Sequence, residues 1–171
     1  MKKIIGLVSV ISLLMACHGS VTVGDTKYDS DSGVTKVVNI KNNIQIKENG
    51  LKVSEAYLVK TDGSKITDEN SIGIHDNISL RLVVSGWKEI DGRVKPGASE
   101  KIVGEDGTVA LNRKDLFNEL SDASAKDAKF ITIDAEFKDS KKSFDHVDVF
   151  FRVWDKVSNA EVSGSYKLNM K

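Results

Sequence analysis

From Val34 onward, apolar residues recur at every second position, and that period leaves a chain few ways to fold. Val34, Val38, Ile40, Ile44 and Ile46 share one parity. Ile78, Leu80, Leu82 and Val84 alternate with Ser79, Arg81, Val83 and Ser85. Ile131, Ile133, Ala135 and Phe137 alternate with Phe130, Thr132, Asp134 and Glu136. The same holds for Val147, Val149, Phe151 and Val153 and for Val162, Gly164, Tyr166 and Leu168. Side chains of a strand point to opposite faces in turn, so one apolar parity means one buried face: antiparallel strands lying on a shared core. Leu51 to Lys60 reads as a further strand with mixed faces.

Turn chemistry falls between these runs. Asp62-Gly63, Asp91-Gly92 and Asp106-Gly107 are hairpin dipeptides, expected as type I′ turns with both central residues at positive φ. Pro96-Gly97 suits a type II turn, and Asp155 to Ala160 should turn the last hairpin. A single helix is expected over Arg113 to Leu120, with Asn112 as its N-cap and Leu116, Phe117 and Leu120 on one side. Seven or eight short strands within residues 34–171, with almost no helix, predict an all-β fold: an immunoglobulin-like antiparallel β-sandwich in one domain.

Charge and cysteine content exclude several functions. The 25 basic residues equal the 25 acidic ones, which removes the electrostatic case for nucleic acid. A lone cysteine excludes an internal disulfide and any CxxC metal or redox site. That cysteine, Cys17, follows two lysines and an apolar run from Ile4 to Met15, too short to span a bilayer but of the length of a signal-peptide core.

Leu14-Met15-Ala16-Cys17 resembles the lipobox of bacterial lipoproteins, in which a small residue precedes an invariant Cys and a Leu stands three before it. Met15 departs from the small or β-branched residue that the family prefers there. The resemblance implies cleavage after Ala16, leaving residues 1–16 as signal peptide, and lipid on the Cys17 sulfur (palmitate among the acyl groups), with acylation of the new amino terminus. Two or three acyl chains hold a protein at a membrane essentially permanently. Loss of Lys2 and Lys3 leaves 23 basic against 25 acidic residues, so membrane contact falls to the lipid. His18 rather than Asp follows Cys17, which by analogy with enterobacterial sorting implies the outer membrane, with either its periplasmic or its outer face open. Residues 17–33, rich in Gly, Ser, Thr and Asp after Cys17, read as a flexible tether with a reach of roughly 20–24 Å. Asp29-Ser30-Asp31-Ser32-Gly33 fails as an EF-hand, because Gly33 is one place early and Ile40 stands where the bidentate Glu belongs.

No catalytic motif emerges. Val162-Ser163-Gly164-Ser165 lacks the first Gly of a nucleophile elbow, and neither HExxH nor a phosphate-binding Gly loop occurs. His146 stands among Asp139, Asp145 and Asp148, a pattern that serves a base and its orienter or a metal, or simply a solvated loop with Lys138, Lys141 and Lys142 balancing the acids. His18 and His75 lie in polar surroundings. The reading is a non-enzyme without cofactor or metal.

Binding residues are easier to nominate. Trp87 and Lys88, followed by Arg93 and Lys95, place an indole among cations in the Gly86–Gly107 connection, a composition suited to a protein-partner anchor. The alternative for Trp87 is to close one end of the core. Trp154 shares a strand face with Phe150, with Phe130 expected nearby, and either tryptophan is the basis of a glycan-binding alternative. DGRVKPGASEKIVGEDGTVALNRKDLF and FFRVWDKVSNAEVSGSYKLNM resemble small, mostly uncharacterised Bacteroidota-type lipoproteins with immunoglobulin-like domains. That resemblance implies architecture and no site residue. The expected function is an accessory or binding module of an envelope assembly with a protein partner; a glycan-binding surface lipoprotein is the alternative, and an envelope hydrolase centred on His146 a more distant one.

Overall fold

The computed structural model describes residues 26–29, 36–73, 76–135 and 144–171, so the signal segment, Cys17, His18, His75 and Asp139 lie outside the described residues. Thirteen strands occur among those described: β1 (Thr26–Asp29), β2 (Lys36–Ile40), β3 (Gln45–Asn49), β4 (Lys52–Lys60), β5 (Ser71–Ile72), β6 (Ile78–Ser85), β7 (Arg93–Val94), β8 (Pro96–Gly104), β9 (Val109–Arg113), β10 (Ala123–Ser124), β11 (Phe130–Ala135), β12 (His146–Asp155) and β13 (Glu161–Met170). One sheet has the order β1-β2-β4-β6-β11 and the other β3-β13-β12-β8-β9, with β5 added alongside β13. A separate pair, β7 with β10, is antiparallel.

This order identifies the sandwich. β4, β6 and β11 face β13, β12, β8 and β9, and the chain changes sheet at β6→β8, β9→β11 and β11→β12. Those are strands A, B and E against G, F, C and C′ of an immunoglobulin-like Greek key. The two preceding strands tie the layers together: β2 pairs with β4 in one sheet while β3 pairs with β13 in the other. What reads in the sequence as one apolar run is therefore split. Asn42 and Asn43, at φ 57° and 52°, make the turn that carries the chain from sheet to sheet.

The core is the inward parity of the long strands. Leu58, Ile78, Leu80, Leu82 and Ile133 from one sheet meet Ile102, Val149, Phe151, Val153 and Leu168 from the other, all almost fully buried. Burying each such side chain stabilises the fold by about 1.5–3 kcal/mol, so the alternation itself is the main source of the fold.

Several local expectations are corrected. Pro96-Gly97 is not a turn but the start of β8, where proline is tolerated at a strand's first residue. Gly97 gives Trp154 its place, because a Cβ there would sit 2.2 Å from the indole Cε2. Arg113–Leu120 is not a helix: Arg113 ends β9, and the Asp115 carboxylate accepts from Phe117 N at 2.9 Å to make a local turn. That leaves Leu116 and Phe117 against the core. The short helix is instead Ala125–Ala128, capped by Ser124.

Of the three Asp-Gly turns, only Asp91-Gly92 has both residues at positive φ. At 62–63 and 106–107 only the glycine does, and the Asp side chain accepts from Ser64 N or Thr108 N instead. The segment read as a tether contains β1, whose register pairs Thr26 with Asn39 and Asp29 with Lys36.

Candidate functional site

Two places on the sandwich gather the nominated residues. The first is the end that carries the Asp155–Ala160 turn. Gly86, at φ 93°, closes β6; a Cβ there would meet Gly50 O at 2.7 Å, so only glycine lets the chain pass and deliver Trp87 inward. Trp87 is half-buried and packs on the core, with its Nε1 buried and unpartnered among the described residues. The residues around it are organised by Asp155, itself 1% exposed. Its carboxylate accepts from Lys88 N at 2.9 Å, Val157 N at 3.0 Å and Ser158 Oγ at 2.9 Å.

Lys95 joins the same end through its carbonyl, which accepts from Lys156 N at 2.8 Å. Arg93 is engaged by Asp122 through both Nε and Nη2. The structure thus brings Trp87, Lys88 and Lys95 to one end, with the lysine side chains exposed, the indole packed and the Arg93 charge paired. Nine residues of the Gly86–Gly107 connection form the interior strand β8 rather than a loop.

The second place is the outer face of the six-stranded sheet. Along β12, Asp148, Phe150, Arg152 and Trp154 point outward, opposite the buried Val147, Val149, Phe151 and Val153. Arg152 stacks over the Trp154 ring at 5.0 Å and is held by Glu161. Phe150 is 46% exposed although it sits mid-sheet, with Lys101 beside it on β8 and Ser165 on β13. A shallow concavity of about 300 Å³ adjoins it, rimmed by Lys101, Arg113, Lys114 and Arg152. Of these cations only Arg152 has an ion pair among the described residues. Phe130, also exposed, is not a neighbour: it lies on β11 of the other sheet. The two tryptophans lie one on the inner core and one on an outer face, so they do not form a coplanar pair.

His146 opens β12. Its backbone N and that of Asp145 donate to the Glu105 carboxylate at 3.4 Å, which those bonds help hold below its usual carboxylate range against desolvation. Asp148 faces Lys167 at 4.0 Å. Among the described residues no group of three or more His, Cys, Asp or Glu side chains converges as a metal site.

Sequence reasoning passed over one charged residue in the core. Glu100 stands on the inward parity of β8 between Ala98 and Ile102, 1% exposed, with neither carboxylate oxygen hydrogen-bonded. Burial pushes its pKa up to about 7, against the opposing pull of Arg113. Tyr166, also buried and with an unpartnered hydroxyl, is raised well above its ordinary value by burial and then by Glu100. The signal was available, since Glu100 breaks the parity of Pro96, Ala98, Ile102 and Gly104.

No protein-family model matches this chain, and no curated protein matches it. Among solved structures it is similar to an immunoglobulin-like protein from Pseudomonas aeruginosa, at 11% identity and a TM-score of 0.34, over 75% of this chain and 97% of that one. The fold assignment rests on strand order, and by that order the chain is an all-β, immunoglobulin-like sandwich.

Proposed function

We propose that this chain is a non-enzymatic binding module of a bacterial cell envelope, anchored by lipid on Cys17 to the outer membrane, that docks an acidic protein partner on the outer face of its six-stranded sheet. The observation that carries the docking reading is Phe150, an exposed ring in the middle of a sheet, beside three cations (Lys101, Arg113 and Lys114) that lack ion-pair partners among the described residues. An aromatic anchor within a basic rim suits a carboxylate-bearing surface in both shape and charge. The lipobox-like Leu14-Met15-Ala16-Cys17 supports the anchoring.

Cross-linking and mass spectrometry on native membranes test this. The expected result is a stoichiometric partner, lost with Phe150→Ser or Lys101→Glu and retained with Lys88→Ala and Lys95→Ala at the Trp87 end. Recovery of the protein alone refutes the docking. Cys17→Ala should release the protein from the membrane fraction; a variant that stays bound refutes the lipid anchor.

A further inference from the structure

A second concavity, on the opposite sheet, is better enclosed and has a different chemistry. It holds about 380 Å³ between β2, β4 and the loop at 65–68, within the size range of about 300–1,000 Å³ usual for small-molecule sites. β2 and β4 run side by side with Asn39 opposite Glu55, so Asn39, Glu55 and Tyr57 line one wall while Ala56 and Leu58 of β4 turn to the core.

The facing wall is clamped rather than loose. Asn42, 2% exposed, donates through Nδ2 to Ile66 O at 3.0 Å and Thr67 O at 3.1 Å, and its Oδ1 accepts from Leu58 N at 2.9 Å. Ile66 N also donates to Leu58 O at 3.3 Å. The loop is therefore fixed to the strand it overhangs, and the space between them is preformed.

Beyond Asn42 and Asp68, whose side chains are engaged, the polar groups around this space are unspent. Among the described residues, the side chains of Asn39, Lys41, Glu55, Tyr57 and Lys65 have no hydrogen-bond or ion-pair partner, yet all border one cavity. Lys41 and Lys65 offer donors, Glu55 an acceptor, Asn39 both, and Tyr57 a ring face with a hydroxyl at its end. Glu55 and Asp68 cancel the charge of the two lysines, so the cavity selects no net ion. Vicinal hydroxyls, which donate and accept at once, satisfy such a mixed set, and the C–H face of a sugar ring covers an aromatic ring.

We infer that the cavity over Tyr57 binds a neutral pyranose unit of a glycan. This site is separate from the Phe150 face, and neither depends on the other.

Protein-observed NMR on the full-length protein tests it, titrating glucose, galactose, mannose, N-acetylglucosamine and their disaccharides. At least one should give saturable shifts at Asn39, Lys41, Tyr57 and Lys65, with Kd on the order of 1 mM for a single ring. Tyr57→Ala should weaken binding at least tenfold, and Lys65→Ala, on an exposed loop, should weaken it without lowering Tm. Phe150→Ser should leave it unchanged. Absence of saturable shifts across the panel overturns the inference. So does binding that survives both Tyr57→Ala and Lys65→Ala, or saturation only by glucuronate or free amino acids.

Discussion

Glu100 makes the stability of this sandwich fall across neutral pH. Its carboxyl is buried without a hydrogen bond, and desolvation raises its pKa from an ordinary 4.5 to about 7. The folded state therefore binds more protons than the unfolded chain between these values, and stability must decrease with pH there. The contribution is fully present below pH 4.5 and lost as pH rises through 7. Each pH unit of displacement is worth 1.36 kcal/mol, so the whole loss is about 3 kcal/mol, a large share of the roughly 5–15 kcal/mol available to a domain.

Glu100→Gln keeps the shape and removes the ionisation. In urea unfolding at intervals from pH 4.5 to 8.5, the variant and the wild type should be close at the acid end, and the variant should be more stable by about 2–3 kcal/mol at pH 8.5. Taking the difference isolates Glu100 from other carboxylates. Asp62, held down by hydrogen bonds from Ser64, and Asp76, held down by Lys60 and Gly73 N, lose their contribution only as pH falls below about 4. A difference that stays flat from pH 5 to 8 would refute the reasoning, because an ionised Glu100 would then have found a partner or solvent.

Asn42→Ala removes three hydrogen bonds, two of them buried, and places alanine at φ 57°, so it should cost about 3 kcal/mol or more in urea unfolding. Asn42→Gly keeps the backbone conformation and should recover only the smaller part of that loss. Gly164→Ala places a Cβ 2.2 Å from Gln45 O and 2.5 Å from Phe151 Cζ, so it should destabilise by about 1–3 kcal/mol. Because Gln45 O belongs to β3, hydrogen exchange should rise first along Gln45–Asn49; uniform exchange across both sheets would contradict that account.

Strands were legible where burial alone decides. β6, β11, β12 and β13 follow the alternation closely, since a one-residue slip would expose Leu80, Ile133, Val149 or Leu168. Features set by contacts distant in sequence were not legible. Gly97 reads as a turn residue until Trp154, 57 positions on, needs its missing side chain. Leu116, Phe117 and Leu120 have helical spacing, but two turns of helix are marginal, and Leu116 N is satisfied by Ala98 O instead. The cavity over Tyr57 was invisible for the same reason. Its walls come from β2, β4 and a loop joined by Asn42, and no spacing in the sequence connects Asn39 to Lys65.

Both indoles belong to the end of the sandwich that carries the β12–β13 turn, Trp87 beside the Lys88–Asp155 bond and Trp154 near the end of β12. Intrinsic tryptophan fluorescence is consequently a local instrument in this protein. It reports loosening around Asp155 and is silent to fraying at the opposite end, where His146 pairs with Asn169 and Ser71 adds alongside. An unfolding curve followed at the indoles and one followed by far-ultraviolet circular dichroism will coincide only if the two ends open together, which makes the pair of probes a direct reading of the sandwich's cooperativity.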